Sequence, residues 1–231
     1  MSKLVTIVED EPAIRENYAD ALRLQGYDVS TFSARPDAMR AFRHRLPDLA
    51  IVDIGLKDEV EGGFELCREL RGLSNTLPII FLTARDSDLD AISGFRLGAD
   101  DYLTKAISLP HLMARVAALL RRVDALSDPP SESSLLRRGA MTLDLDRMTV
   151  SWNEKPIPLT VTEFWIVHSL VRRPGHVKSR DQLMQEANVL VDDSTITSHV
   201  KRIRRKFETE AEDFCCIDTI YGMGYRWSAD S

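Results

Sequence analysis

The sequence is poor in cysteine. Its three, Cys67, Cys215 and Cys216, have neither metal-ligand nor CxxC spacing, and two are adjacent. This pattern excludes a disulfide framework and a thiolate metal site, and the three read as reduced thiols. Long apolar runs are also lacking, since none approaches the ~20 residues that a bilayer-spanning helix needs. No basic, apolar leader precedes the opening MSKLVTIVEDE, which goes straight into a strand pattern. A cytoplasmic chain with no membrane partner is the expectation. Net positive charge is absent as well: 30 Lys+Arg face 36 Asp+Glu for a formal −6, an average that argues against a nucleic-acid partner. What is present is a globular composition, 44% hydrophobic and 29% charged. At roughly 100 to 200 residues per domain, the 231 residues imply two domains.

The N-terminal half alternates strand and helix patterns. Residues 3–8 (KLVTIV) are followed by Glu9, Asp10 and Glu11, and Pro12 suits the first turn of a helix. Ile14, Tyr18, Ala21 and Leu22 then repeat at helical spacing until Gly26, a C-terminal stop. Further strands are predicted over 27–32, 49–52, 77–83 and 99–105, and further helices from Pro36 and over 64–71, 86–97 and 109–122. Five strands alternating with five helices predict an α/β fold, a doubly wound parallel sheet covered on both faces. Right-handed crossovers bring the carboxyl ends of these strands to one edge, where open α/β sheets place their sites.

That edge collects chemistry. Glu9 and Asp10 end the first strand, Asp53 the third, Thr83 the fourth and Lys105 the fifth. A lone strand-ending Asp is more often a turn residue or helix cap than a nucleophile, but five such residues in matching positions favour a site. Carboxylates held together repel, so one is protonated or a cation sits among them. Mg²⁺ is hard and octahedral and commonly takes one or two carboxylates plus a phosphate. Asp53 is then placed to attack a phosphoryl group, Lys105 to neutralise its oxygens, and Thr83 to donate its hydroxyl to the acyl phosphate.

The motifs VEDE (8–11), DLAIVDI (48–54), PIIFLTAR (78–85) and GADDYLTK (98–105) resemble, in order and spacing, the receiver domain of bacterial two-component response regulators over residues 1–123. The resemblance implies a flavodoxin-like (βα)5 fold with Asp53 as phosphoacceptor and a sensor histidine kinase as donor. It implies Glu9 and Asp10 as the acidic pair for Mg²⁺, Gly55 as its backbone carbonyl ligand, Thr83 and Tyr102 as the switch pair, and Lys105 as the phosphate-binding lysine. In the family, phosphorylation favours a homodimer through a face of ion pairs, which Asp100, Asp101, Arg115 and Arg122 match. The chain departs from the pattern at Ala106, where the family has proline with a cis bond. A cis non-prolyl bond costs about 2.5–4 kcal/mol, so either the bond is trans and Lys105 is aimed differently, or the strain is tolerated. The loop from Gly55 to Gly63 has Lys57 where proline is frequent and is two residues longer than usual.

Residues 124–137, DALSDPPSESSLLR, combine tandem proline with serines and predict a flexible linker. Residues 138–231 carry 13 Lys+Arg and 14 Asp+Glu, yet Thr195–Phe207 (TITSHVKRIRRKF) holds five cations and no acid. Wound as a helix, Ile196, Val200, Ile203 and Phe207 form a core stripe, with Ser194, Ser198, Lys201, Arg202 and Arg205 opposite. Charge runs are usually solvated faces, but one without any acid suits a major groove, arginine reading guanine and lysine meeting phosphates. His199 and Arg204 complete the candidate DNA contacts. Leu143, Leu145, Met148, Val150 and Trp152 alternate as small antiparallel strands. Thr160 with Glu163, and Ser179 with Gln182, are capping boxes that open two helices, and FCCIDTI and YRW flank Tyr221-Gly222-Met223-Gly224 as a hairpin.

LTVTEFWIVHSLVRRPGHVKSRDQLM and IYGMGYRW resemble the effector domain of the OmpR/PhoB family, which implies an α+β winged-helix domain over 138–231 with the basic helix as recognition helix for double-stranded DNA. Tyr221 stands where the family's wing usually has arginine. The stretch Ala187–Asp193 is about three residues short and lacks the usual tryptophan, in the loop through which activators of the family touch RNA polymerase. The expectation is a DNA-binding transcription regulator, not an enzyme, switched by Mg-dependent phosphorylation of Asp53 that favours dimerisation and operator binding. One alternative is a regulator of the same fold that dimerises and binds DNA without phosphorylation. Another is a phosphohydrolase, which would need a second Asp where Gly55 stands.

Overall fold

The structure, a computed structural model, describes residues 2–56, 59–84, 97–124, 135–186, 193–211 and 214–228, without the side chains of Thr83, Arg122, Asp124 and residues 193–195. The chain divides into two compact units, 1–120 and 121–231.

The first unit runs β1 (Leu4–Val8), α1 (Pro12–Leu24), β2 (Asp28–Phe32), α2 (Arg35–Phe42), β3 (Leu49–Val52), α3 (Gly62–Leu73), β4 (Ile79–Thr83), β5 (Asp101–Thr104) and α4 (Leu109–Asp124). Its five strands are parallel in the order β2-β1-β3-β4-β5. The predicted helix over 86–97 falls almost wholly outside the described residues. All four residues of β3 are buried because both faces of the sheet are covered. Leu49 and Ile51 pack with Tyr18 and Leu22 of α1 and Val116 and Leu119 of α4. Ala50 and Val52 pack with Met39 and Phe42 of α2 and Phe64 and Leu70 of α3. A strand so enclosed has one polar exit, its carboxyl end, and the next residue is Asp53.

The second unit opens with a four-stranded antiparallel sheet, β6 (Leu135–Arg138), β7 (Met141–Asp144), β8 (Thr149–Trp152) and β9 (Lys155–Ile157), in that order. Here the predicted linker is corrected at both ends. Helix α4 continues through Asp124, and Leu135, Leu136 and Arg137 belong to β6, paired with Asp144, Leu143 and Thr142 of β7. Four residues are too few to show strand alternation, and Leu136 gains its partners only from the core cluster it packs against.

Helices α5 (Val161–Val171), α6 (Arg180–Glu186) and α7 (Asp193–Glu210) follow, then the hairpin β10 (Ile217–Ile220) and β11 (Gly224–Trp227). The α6 capping box is reciprocal: the Ser179 N–H donates to Gln182 Oε1 at 2.9 Å, and the Gln182 N–H to Ser179 Oγ at 3.1 Å. At the start of α5 the Thr160 N–H donates to Glu163 Oε2 at 2.8 Å. The core of this unit is aromatic, with Phe207 stacked on Phe214 at 4.5 Å and both edge-on to Trp227. The hairpin is sewn to the loop before α6, where Lys178 and Tyr225 exchange backbone hydrogen bonds of 2.7 and 2.9 Å. Gly224 permits that approach: its φ is +131°, and a Cβ there would lie 2.0 Å from the Lys178 carbonyl oxygen.

Candidate functional site

The carboxyl edge of the parallel sheet gathers the predicted residues. The Asp53 N–H donates to Val8 O at 2.9 Å and the Glu9 N–H to Phe32 O at 3.0 Å, so the strand ladder fixes where both side chains emerge. Glu9 and Asp53 are buried, Asp10 is half-buried, and each of the three offers an oxygen within 4.8 Å of the others'. Lys105, just past β5, reaches across the edge with Nζ 2.9 Å from Asp53 Oδ2 and 2.7 Å from Glu9 Oε2. No cis peptide bond occurs among the described residues. The bond before Ala106 is trans and Lys105 still reaches Asp53, so neither of the two expected alternatives holds.

Glu9 and Asp53 share the Lys105 ammonium, and burial shapes the proton affinities of all three groups. Burial pushes the Glu9 carboxyl up to about 7; the Lys105 hydrogen bond pulls the other way, and the Asp53 charge adds to the rise. Burial also raises the Asp53 carboxyl, against the pull of Lys105. For Lys105 burial works downward, but its bonds to Glu9 and Asp53 outweigh it and the net shift is upward. Three carboxylates that each offer an oxygen within 4.8 Å of the others' fit a hard divalent cation such as Mg²⁺.

Of the predicted switch pair, Thr83 ends β4 with its backbone in register with Thr104, and its side chain lies outside the described ones. Tyr102 is half-buried in β5, its ring edge-on to Phe81 at 6.4 Å. The predicted dimer face is corrected at Asp100, which is 0% exposed. Its Oδ2 accepts from Arg71 Nη2 at 2.8 Å and from the Ile79 N–H at 3.1 Å, while Arg71 Nε donates to Gly98 O at 2.9 Å. Asp100 is an internal strut between α3 and the β4–β5 pair, because the chain brings a cation from 29 residues upstream to meet it. Asp101 is buried too and lies 3.4 Å from Arg115 of its own chain. The Arg122 side chain falls outside the described ones.

Three residues of this site were not foreseen. Arg15, one turn into α1, donates from Nη1 to the carbonyls of Glu9 at 2.7 Å and Asp10 at 3.2 Å, which fixes the acidic loop from behind. Its signal was a cation on the helix directly after three acids. Gly63, in the first turn of α3, lies against the backbone of Asp53: a Cβ there would lie 2.0 Å from Asp53 O. Glu59, in the lengthened loop, is held by Arg35 of α2, Nε to Oε2 at 2.6 Å.

In the second unit, Ile196, Val200, Ile203 and Phe207 of α7 are all buried in the core, as their spacing predicts. On the far side Thr197, Lys201 and Arg205 are exposed and Ser198 is half-buried, while the Ser194 side chain lies outside the described ones. His199 and Arg202 are corrected as DNA contacts, because both are buried. Arg202 Nε donates to Glu163 Oε1 of α5 at 2.7 Å, and its Nη2 lies 2.9 Å from His199 Nδ1. Lys206 Nζ joins the same carboxylate at 2.6 Å. Burial works to raise the Glu163 carboxyl, but Arg202 and Lys206 overcome it and hold it well below the usual carboxylate range. The helical wheel placed Arg202 away from the core stripe, but α7 has a second packed flank against α5. Arg204 is turned to the wing, bonding Ile217 O at 2.7 Å and Thr219 Oγ1 at 2.8 Å. Residues 187–192, in the shortened stretch that lacks the family's usual tryptophan, lie outside the described residues.

Comparison with known proteins agrees with this architecture. Residues 5–117 match the response regulator receiver domain, and residues 154–227 match the C-terminal domain of transcriptional regulatory proteins. The chain is 38% identical to the transcriptional regulatory protein CreB of Escherichia coli K12 over 224 residues, covering 96% of each. It is 36% identical to the sensory transduction protein RegX3 of Mycolicibacterium smegmatis, covering 96% of this chain and 97% of the relative. Among solved structures, the response regulator DrrB, a Thermotoga maritima OmpR/PhoB homolog, is 28% identical with a TM-score of 0.53 and covers 99% of this chain and all of its own. A mutant of RitR shares the fold at 19% identity, with a TM-score of 0.78 over 98% of this chain and 99% of its own. Among the described residues no helix is long and apolar enough to cross a membrane. A receiver domain joined to a DNA-binding domain, with relatives matched along nearly their whole length, makes this chain a member of the OmpR/PhoB family of two-component response regulators, a DNA-binding regulator of transcription.

Proposed function

We propose that this regulator is switched by transfer of a phosphoryl group from a sensor histidine kinase to Asp53, and that the switched form dimerises and binds its operator. The observation that carries the reading is the convergence of Lys105 Nζ on Asp53 and Glu9 within a cluster of three carboxylates. Asp53 is the carboxylate that follows the buried strand β3 directly and has a cation already at Oδ2. In the transfer, an Asp53 oxygen forms the new P–O bond as the P–N bond of the donor phosphohistidine breaks, and the imidazole keeps the electron pair. Lys105 follows the negative charge onto the phosphoryl oxygens. Glu9, Asp10, Asp53 and the Gly55 carbonyl would hold Mg²⁺, which when bound supplies positive charge against that of the phosphoryl group. Arg15 and Gly63 keep the two acidic loops at their spacing.

The added group brings about −1.5 to −2 charges, and Thr83 and Tyr102 are assigned to answer it by moving toward Asp53. Asp101 and Arg115, paired within one chain at 3.4 Å, are assigned with Arg122 to exchange partners between two copies. Dimerisation sets two α7 helices on successive half-sites, each weak alone and tighter when linked. Ser194, Ser198, Lys201 and Arg205 are the contacts proposed for that helix.

The test is treatment with acetyl phosphate or phosphoramidate and Mg²⁺, wild type beside Asp53→Ala, read by phosphate-affinity gel and by light scattering after size exclusion. A shifted band lost in Asp53→Ala, with a monomer becoming a dimer, is the expected result. A dimer of unchanged mass with and without phosphodonor, in both proteins, overturns the switch and favours a regulator that binds DNA without phosphate.

A further inference from the structure

We infer that Arg35 is a positioning residue for the Mg²⁺ site, its guanidinium latching the loop that carries the Gly55 carbonyl to α2 and α3. The inference rests on the reading of the Asp53 edge as a Mg²⁺ site and deepens it. Three elements meet at this one side chain. Arg35, the first residue of α2, holds Glu59 of the loop with two prongs, Nε to Oε2 at 2.6 Å and Nη2 to Oε1 at 3.2 Å. Its remaining arm, Nη1, donates to Glu69 Oε1 on α3. A planar fork matched to a carboxylate fixes direction as well as distance.

The latch matters because Gly55 has no hold of its own. It has no side chain to pack, and a Cβ there would meet nothing within 4 Å, so its backbone conformation is set by its neighbours. Upstream, Ile54 is buried and its carbonyl accepts from the Gly63 N–H at 2.9 Å. Downstream, Leu56 is buried and exchanges backbone bonds with Glu59, its N–H donating to Glu59 O at 3.1 Å and its carbonyl accepting from the Glu59 N–H at 2.8 Å. The Glu59 carbonyl also accepts from the Gly62 N–H at 3.0 Å. A Cβ on Gly62 would lie 2.8 Å from Glu59 Cβ and 3.2 Å from Leu56 Cβ. The downstream half of the loop therefore closes on Glu59, and Arg35 holds the Glu59 side chain.

Two plainer roles for Arg35 lead to different expectations. As an ordinary ion pair it would do little, because Arg35, Glu59 and Glu69 are all partly exposed and such pairs add little to stability. As a fixed charge it would repel a cation in the neighbouring site. Its loss would then tighten Mg²⁺ binding, while loss of the Glu59 charge would weaken it. A latch gives a third pattern: Mg²⁺ binding weakens whichever partner is removed, since either change frees the Leu56–Glu59 closure and the Gly55 carbonyl beside it.

The test is calorimetric titration of MgCl₂ into the full chain at constant ionic strength, with thermal unfolding of the same proteins alongside. Arg35→Met, which keeps the stem and removes the fork, is expected to weaken Mg²⁺ binding about tenfold, the low end of what outer partners of metal ligands cost. Glu59→Gln should weaken it too, and the double substitution should be no weaker than the worse single one, because the pair acts as a unit. Arg35→Lys keeps the charge and loses the two-pronged bond, and should cost about threefold. The receiver's unfolding midpoint should stay near that of the wild type in all of them. Unchanged Mg²⁺ affinity in Arg35→Met overturns the inference, and tighter binding does so in favour of a fixed charge. Losses that add in the double substitution overturn it as well. If Arg35→Met loses the receiver transition, Arg35→Lys decides, and wild-type affinity there overturns the latch. Asp10→Asn separates the two readings: if the wild type binds Mg²⁺ no better than Asp10→Asn, the metal site fails and the latch with it. If only Asp10→Asn loses the ion, the site stands and the latch alone has failed.

Discussion

Each domain buries carboxylate charge beside cations, and the two sets are balanced in opposite senses. In the receiver, Glu9 and Asp53 share Lys105 with Asp10 close by, and burial pushes Glu9 up to about 7. In the winged-helix domain, Glu163 alone receives both Arg202 and Lys206 and is held below the usual range. In the first, burial outweighs the pull of Lys105 on Glu9 and Asp53, and the site is suited to take up a cation. The second is complete, and its work is to fix α7 against α5. Buried ionisable groups thus divide by their local balance: a deficit suits a ligand site, and a matched set holds the scaffold.

The comparison is broken most severely by removing the acid of the matched set. Glu163→Ala leaves Arg202 buried without its partner and is expected to destabilise the second domain by about 3–5 kcal/mol, read by urea unfolding on the fluorescence of Trp152, Trp165 and Trp227, which all lie in that domain. The deficient set should respond to its missing cation instead. Mg²⁺ at about a hundred times its dissociation constant is expected to stabilise the receiver by ~2.7 kcal/mol. Calorimetry should show that rise in the receiver's transition alone and a smaller one in Glu9→Gln.

Acidity sharpens the contrast because the signs differ. Glu9 resists ionising in the fold, so without Mg²⁺ its contribution to receiver stability should be fully present below the ordinary glutamate pKa of about 4.3 and be lost as pH rises toward 7. Glu163 is favoured in its ionised form, so its contribution is present above that ordinary value and lost as pH falls below it. Denaturation midpoints at several pH values should show slopes of opposite sign, removed by Glu9→Gln in one domain and Glu163→Gln in the other. The smallest effect on stability belongs to the exposed neighbour of Arg202: Lys201→Ala should change stability by less than about 0.5 kcal/mol while lowering the salt slope of DNA binding by about one.

Much of the receiver site is legible in the chain because strand ends are legible. An unbroken apolar run such as Leu49–Val52 fits only a strand buried on both sides, so the polar residue that follows must emerge at an edge. Parallel order and right-handed crossovers then bring Glu9, Asp53 and Lys105 to the same edge without any knowledge of side chains. In α7 the core stripe is legible for the same reason, since periodicity reports distance from the main core. It does not report a second contact. Arg202 and His199 are hidden by α5, and Asp100 by Arg71, because each depends on a partner 29 or more residues away or on a flank that one helix cannot reveal. The short strand β6 was missed for a related reason: a strand of four residues is defined by its neighbour and hardly by itself.

By itself the sequence determined the order of elements, the two domains, the strand ends that carry the acids and the lysine, and the apolar side of the basic helix. Local periodicity and turn chemistry suffice for those. Tertiary structure decided which charges are free. It gave Lys201 and Arg205 to the surface, Arg202 to Glu163 and Asp100 to Arg71, and it set Lys105 between Glu9 and Asp53 at the sheet edge. Whether a charge is available depends on what folds against it, and the distances between such partners are set by packing and not by spacing along the chain.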